Sequence, residues 1–179
     1  LERHRHGPAR DEDTRDHVDA ARPTVNFAGS PELFVAPARV TYLRFAVTGI
    51  GARAVHQARL RLEVTHPGPD GGEAHLIGDH TWDPSTLTFA HRPAVNTPVI
   101  EDIGPVLTTG AVVEFELDTV VTGDGTYDVA IAGNAGVPVG YRSTAAGIGQ
   151  RPTLVLAVDP QPGPSVHIVQ PPTGASFFE

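Results

Sequence analysis

The chain of 179 residues contains no cysteine, no methionine and no lysine, so all 13 of its basic residues are arginine. Without cysteine the protein has no disulfide bond, no thiol nucleophile and no cysteine-ligated zinc or iron–sulfur site. Without lysine it has no phosphate-binding loop of the Walker type. Aromatic residues make up only 6% of the chain, which leaves few rings for a broad stacking surface. No apolar run approaches the roughly 18 residues of a membrane-spanning helix.

The balance of charge is acidic. Against the 13 arginines stand 21 aspartates and glutamates, which give a net charge of -8 at pH 7. This balance argues against a nucleic acid as the main partner, because such proteins neutralise phosphates with a basic surface. Apolar residues make up 40% and charged residues 19%, so the composition is that of a globular protein.

The apolar residues alternate with polar ones along several short segments. In residues 41–47 and 57–65 one set of alternate positions is apolar and the other includes arginines, which predicts half-buried antiparallel strands. The 19 glycines and 17 prolines separate such segments, and no stretch of ten residues has helical periodicity. The pattern predicts an all-β sandwich or barrel. Further strands are predicted near residues 14–25, 33–35, 74–77, 112–117, 126–132 and 153–158.

The composition changes at both ends of the chain. Residues 1–12 are polar and charged, which predicts a tail or linker, and they lack the apolar core of an export signal. Residues 13–159 form the predicted β-sandwich module. Residues 160–179 begin with a proline-rich spacer and continue as the start of a following domain, or alternatively as an extra strand packed on the sandwich. We therefore expect a monomer tethered to other domains.

Six segments occur in an order that resembles the DNRLRE-type β-sandwich modules of secreted bacterial proteins, some of which belong to carbohydrate-binding module family 96. An early strand with aspartates leads to Asn26-Phe27, and a Tyr-Leu-Arg-Phe strand follows. The pattern continues with an A-x-L-R-L strand, a Trp segment that ends in Arg-Pro, a G-D-G-T-Y entry and a closing R-P-x-L-V strand. In this chain the segments are residues 16–27, 41–45, 58–62, 82–93, 123–127 and 141–155.

This resemblance implies a jelly-roll sandwich that serves as a noncatalytic accessory module of a secreted or cell-surface protein. It further implies a polysaccharide ligand, which for a few relatives is an acidic polymer such as alginate. The chain departs from the pattern in residues 142–149, which lack the acidic residue often found there. The alternative function is a structural spacer or adhesion domain without a glycan ligand. Catalysis has little support, because no nucleophile elbow and no metal-hydrolase signature occurs.

Arginines on the alternating strands are the candidate ligand-binding groups, since a guanidinium binds a carboxylate or sulfate with two parallel hydrogen bonds. A loop tyrosine could stack on a sugar ring. The candidate residues are Arg44, Arg59, Arg61, Tyr141 and Arg142. The alternative is that these arginines pair with Glu63, Glu114 or Glu116 across neighbouring strands.

Oxygen-bearing side chains near the first predicted strand suggest a metal site. Asp16, Asp19 and Asn26 are hard ligands close together in the sequence, so with backbone carbonyls they could hold a structural Ca²⁺. The alternative is turn chemistry on a solvated strand, because the spacing differs from that of an EF-hand loop. The sequence therefore leaves open whether calcium is bound.

Overall fold

The computed structural model describes residues 14–146 and 151–160, so the predictions for residues 1–12 and 161–179 lie outside the described part. Two short 3₁₀ turns occur at Phe89–His91 and Thr144–Ala146, and no helix within the described ranges is long and apolar enough to cross a membrane. The other elements are ten strands: β1 (Thr14–Asp19), β2 (Glu32–Val35), β3 (Arg39–Val47), β4 (Val55–His66), β5 (Gly72–Ile77), β6 (Val99–Ile103), β7 (Val112–Glu116), β8 (Gly125–Ala132), β9 (Val139–Arg142) and β10 (Thr153–Val158).

The strands pair as a ribbon that folds back on itself. β2 pairs with β9, β3 with β8, β4 with β7 and β5 with β6, and every pair is antiparallel. Alternate pairs belong to alternate sheets, which is the jelly-roll arrangement. The first sheet has the order β1-β3-β8-β5-β6, and the second has the order β10-β4-β9-β2 with β7 also paired to β4. The predicted jelly-roll β-sandwich is therefore confirmed.

The main core lies between the two sheets and follows the predicted alternation. Leu43 and Phe45 of β3 pack in the same cluster as Leu60 and Leu62 of β4 and Phe115 of β7. None of these side chains is exposed. Burying a large apolar side chain in this way stabilises the fold by about 1.5–3 kcal/mol.

The outer face of the first sheet is also buried, which the alternation of β3 did not indicate. The connection between β5 and β6, residues 78–98, lies over this face, and we call it the covering segment. A second apolar cluster joins Tyr42 of β3 and Ile77 of β5 to Trp82 and Leu87 of the covering segment. Tyr42, which points away from Leu43, is therefore as fully buried as Leu43.

Two strands, β6 and β9, were missed by the sequence pattern. β6 is the edge of the first sheet, and its five residues are intermediate or exposed, so they show no alternation between apolar and polar positions. β9 has only four residues, of which Val139, Gly140 and Tyr141 are all buried. Gly140 lies where a Cβ atom would be 2.8 Å from side-chain atoms of Thr65 and His66, so the pairing of β9 with β4 needs a glycine there.

Candidate functional site

Two of the candidate arginines lie side by side on the outer face of the second sheet. Arg59 and Arg61 alternate on β4 with the buried leucines, so their side chains are about 6.6 Å apart along the strand. Nη1 of Arg59 donates to Oε1 of Glu116 over 2.6 Å. Nε of Arg61 lies 2.9 Å from Oε1 of Glu114, although not in hydrogen-bonding geometry. Both acidic partners are on β7, which is paired with β4. This agrees with the alternative interpretation of the sequence, in which the arginines pair with glutamates across neighbouring strands.

Arg142 of β9 extends this row along the same face. Its Nε and Nη2 both donate to Oε1 of Glu63, over 2.9 and 2.7 Å. The Glu63 side chain is only 13% exposed, against 53% for Glu116. We call Arg59, Arg61 and Arg142 the arginine row. Its third ion pair is more shielded from water than the others, and therefore more firmly held.

Arg44 lies apart from the arginine row, on the outer face of the first sheet. Its Nε and Nη2 donate to the two oxygens of the buried Asp128 over 2.7 and 3.2 Å. The same guanidinium donates to the backbone oxygens of Trp82 and His80, over 3.2 and 2.9 Å. It also lies 4.5 Å from the centre of the Trp82 ring. These contacts fix the start of the covering segment to the sheet.

Tyr141 is fully buried in the main core. Its hydroxyl donates to the backbone oxygen of Gly71 over 2.7 Å, and burial raises the pKa of this phenol well above its usual value. Because no part of the ring is exposed, a sugar has no access to stack on it in this conformation. The position of Tyr141 in a loop-like segment of the sequence gave no sign of this burial.

Two of the three predicted metal ligands are in contact. Nδ2 of Asn26 lies 3.1 Å from Oδ2 of Asp16, and also 2.5 and 2.8 Å from the backbone oxygens of Pro84 and Leu87. Asp19 takes no part in this group. Its carboxylate instead accepts a hydrogen bond from the backbone N–H of Ala21 and forms ion pairs with Arg22 and Arg39. Among the described residues no group of three histidine or acidic side chains is placed to hold a metal ion.

Several residues that carry the sequence resemblance share one structural role. Asn26 bonds to Pro84 and Leu87, Arg44 bonds to Trp82 and His80, and the hydroxyl of Tyr42 donates to the backbone oxygen of Pro93 over 2.7 Å. All of these acceptors are backbone oxygens of the covering segment. The motif residues therefore fix a long irregular segment, whose backbone would otherwise lack buried hydrogen-bond partners.

The covering segment contains a cleft that the sequence pattern did not reveal. Its volume is about 230 Å³, and polar side chains line much of it. The wall residues come from two stretches that are up to 14 positions apart in the sequence, so spacing alone could not join them. The lining residues are Asp79, Thr81, Trp82, Asp83, Thr86, Leu87, His91, Arg92 and Pro93.

Turn hydrogen bonds hold both carboxylates of the cleft in place. Oδ1 of Asp79 accepts from the backbone N–H and the hydroxyl of Thr81, over 2.8 and 2.6 Å. Oδ1 of Asp83 accepts the equivalent pair from Ser85, each over 2.7 Å. These side-chain and backbone hydrogen bonds lower the pKa of both carboxyls. Both groups are therefore ionised at neutral pH.

The comparisons with known proteins agree with this architecture. No curated protein matches the chain significantly. The sequence profile of carbohydrate-binding module family 96 matches residues 10–158, which include every strand of the β-sandwich from β1 through β10. The ordered series of strands and the motif residues that fix the covering segment all fall inside this match. By the extent of that match, the chain belongs to carbohydrate-binding module family 96.

Proposed function

We propose that this domain is a noncatalytic module that binds an acidic polysaccharide on the arginine row. Membership of carbohydrate-binding module family 96 is the observation that carries the proposal, and it supplies the general class of ligand. The arginine row adds a chemical reason for an acidic ligand, since its three guanidinium groups lie on one sheet face. A uronate or sulfate group fits the fork of N–H donors of each guanidinium.

The ion pairs of the row leave room for such a ligand. The pairs of Arg59 and Arg61 are exposed and contribute little to stability, so a ligand carboxylate can replace Glu116 or Glu114 at small cost, whereas the shielded Arg142–Glu63 pair is expected to stay in place. A guanidinium has five N–H donors, and Glu116 engages one of those of Arg59. Val155 of β10 lies directly beside Arg59 in the strand register and is 41% exposed. It offers an apolar contact for the carbon face of a sugar ring.

Arginine substitutions test the acidic ligand directly. We expect Arg59→Ala and Arg61→Ala each to reduce retention on a polyuronate affinity gel by about fivefold to tenfold, because each loses one charge-assisted contact with the ligand. Glu116→Gln should strengthen retention, since it frees Arg59 and removes a repelling charge. Added salt should weaken retention of the unmodified domain.

Arg53→Ala is the matched control for these variants. Arg53 bonds to the backbone oxygen of Ile50 and lies six residues before Arg59, about 20 Å along the chain. Arg53→Ala removes one positive charge, as Arg59→Ala does, and should leave retention unchanged. Equal losses for Arg53→Ala and Arg59→Ala would show only a net-charge effect. No retention of the unmodified domain on any acidic or neutral polymer would favour the alternative function, a structural spacer or adhesion domain.

The proposed setting of the module is a secreted or cell-surface protein of several domains. The support for it is the resemblance to modules of secreted bacterial proteins and the proline-rich sequence from Pro160 to Pro164, which is typical of a linker. In that setting the domain tethers its neighbours to a polysaccharide.

A structural calcium ion stays a prediction, now with a revised ligand set. The carboxylate of Asp16 and the backbone oxygens of Pro84 and Leu87 surround Nδ2 of Asn26. A Ca²⁺ ion at this point would take the place of the amide nitrogen, with these three oxygens as ligands and the Asn26 side chain turned aside. Asp19 is replaced in this set because Arg22 and Arg39 occupy its carboxylate. Millimolar Ca²⁺ should raise the melting temperature by a few degrees, and Asp16→Asn should abolish the rise. An equal melting temperature in Ca²⁺ and in chelator would contradict the prediction.

A further inference from the structure

We infer that the cleft in the covering segment is a second binding site, and that it takes one uncharged sugar unit. The cleft lies on the outer side of the first sheet, whereas the arginine row lies on the outer side of the second sheet. The two surfaces are therefore on opposite sides of the sandwich and differ in their chemistry. This inference goes beyond the proposed binding of an acidic polymer and does not depend on it.

The charges around the cleft disfavour an acidic ligand. Asp79 and Asp83 are exposed and ionised, because turn hydrogen bonds lower the pKa of each. Arg44, which lies near both, is paired with the buried Asp128. Arg92 is the basic residue of the cleft wall, and its guanidinium lies 3.5 Å from the centre of the Phe89 ring. Two carboxylates thus face one arginine, so a uronate would be repelled.

Each cleft carboxylate has an oxygen available for a ligand. In the part of the chain that the structure describes, the turn contacts of Asp79 and Asp83 involve Oδ1 alone. Oδ2 of each is left to accept hydrogen bonds from sugar hydroxyls, and such bonds to a charged acceptor are about twice as strong as neutral ones. His91 adds a ring nitrogen, since only its Nδ1 is near a partner, the hydroxyl of Thr88 at 3.2 Å.

Trp82 gives the cleft an apolar floor and a second reason to expect a ligand. The side chain is 7% exposed and lines the cleft together with Leu87 and Pro93. Its Nε1 is buried and has no hydrogen-bond partner among the described residues. A buried N–H without an acceptor is unfavourable, and a ligand oxygen that reached it from the cleft would satisfy it. The volume of about 230 Å³ is below that of pockets for larger ligands, so it suits a single sugar unit.

Isosteric substitution of the two carboxylates tests the site. Asp79→Asn and Asp83→Asn keep an oxygen for the turn hydrogen bonds but remove the charge that strengthens a bond to a hydroxyl. On affinity gels with glucomannan, galactomannan, β-glucan and starch, we expect retention by at least one polymer. We expect the double variant to reduce that retention at least fivefold. Retention on polyuronate should be unchanged or slightly stronger in the same variant.

Asp124→Asn is the matched control. Asp124 also accepts backbone N–H bonds in an exposed turn, from Ile50 and Gly51, and its pKa is likewise lowered, but it is not part of the cleft. The inference is overturned if no neutral polymer retains the unmodified domain, or if the Asp79 and Asp83 variant behaves like Asp124→Asn. Loss of polyuronate retention in Arg59→Ala is a separate readout, so failure of the arginine row and failure of the cleft are distinguishable.

Discussion

Replacing Arg44 with alanine is expected to lower the free energy of unfolding by about 3 kcal/mol, because it leaves the carboxylate of Asp128 buried without its main partner. Nδ1 of His80 lies 2.5 Å from Oδ2 of Asp128, and this remaining contact offsets part of the loss. The substitution also removes two hydrogen bonds to the covering segment. Urea unfolding measures the change. Trp82 is the only tryptophan, so its fluorescence reports directly on this segment.

Arg59→Ala is the control for this prediction. Arg59 has the same kind of partner as Arg44, but its ion pair is exposed, so its loss should cost much less than the loss of Arg44. The double variant Arg44→Ala, Asp128→Ala should be more stable than Arg44→Ala alone, because it removes the unpaired charge. If Arg44→Ala and Arg59→Ala were equally destabilised, the buried pair would not hold the covering segment.

The two arginines show how much of the binding surface the sequence could predict. Alternation correctly placed Arg44 on the face of β3 opposite Leu43, and Arg61 on the face of β4 opposite Leu62. What alternation could not show is that the first of these faces is covered and the second is open. A polar residue beneath a covering loop and a polar residue in water give the same pattern in a strand. Only the contact of Arg44 with a segment 36 to 38 residues later separates them.

The fold was more predictable than the site, for a physical reason. Eight of the ten strands carry a local signal, which is alternation or turn chemistry at their ends. The pairings Arg59–Glu116 and Arg61–Glu114 were among the alternatives that strand pairing suggested. The cleft has no such signal, because its walls are formed when residues 79–93 fold over the first sheet and meet. Its polar residues look like ordinary loop residues until Tyr42, Asn26 and Arg44 fix that segment in place.

This division separates the two binding proposals experimentally. Loosening the covering segment with Arg44→Ala should damage the cleft while leaving the second sheet and its arginine row in place. The row depends on ion pairs between β4, β7 and β9, none of which contacts the covering segment through a described hydrogen bond. Retention on neutral and acidic polymers should therefore respond differently to the same variant.

Two adjacent buried residues of β1 are expected to have opposite effects on stability as the pH changes. Burial raises the pKa of Asp16 from 3.8 to about 7. Burial, aided by the charge of Arg39, lowers the pKa of His17 from 6.5 to about 4. Between about pH 4 and 6.5 the folded protein keeps both groups uncharged, whereas the unfolded chain has a charged aspartate and a charged histidine. Folding in this pH range therefore transfers a proton from His17 to Asp16, and the total number of bound protons does not change.

The signs follow from the number of protons bound in each state. Asp16 binds more protons when folded, so its contribution to stability is full below pH 3.8 and is lost as the pH rises through about 7. His17 binds fewer protons when folded, so its contribution is full above pH 6.5 and is lost as the pH falls through about 4. The two contributions change the free energy of unfolding in opposite directions as the pH rises. Together, Asp16 and His17 should therefore leave the stability of the unmodified domain nearly independent of pH in this window.

Replacing either residue alone should therefore reveal the pH dependence of stability that the other residue causes. His17→Phe keeps a ring beside Phe27, whose centre lies 4.6 Å from that of His17, and should make stability fall from pH 4.5 to 6.5 relative to the unmodified domain. Asp16→Asn should make stability rise over the same range. Each change should be on the order of 2 kcal/mol, given 1.36 kcal/mol per unit of pKa difference. Urea unfolding at pH 4.5, 5.5 and 6.5 measures both changes, in the presence of a chelator because Asp16 is a proposed calcium ligand. Other titrating groups cancel in the comparison with the unmodified domain. Parallel profiles for all three proteins would show that Asp16 and His17 titrate in the folded state as they do in the unfolded chain.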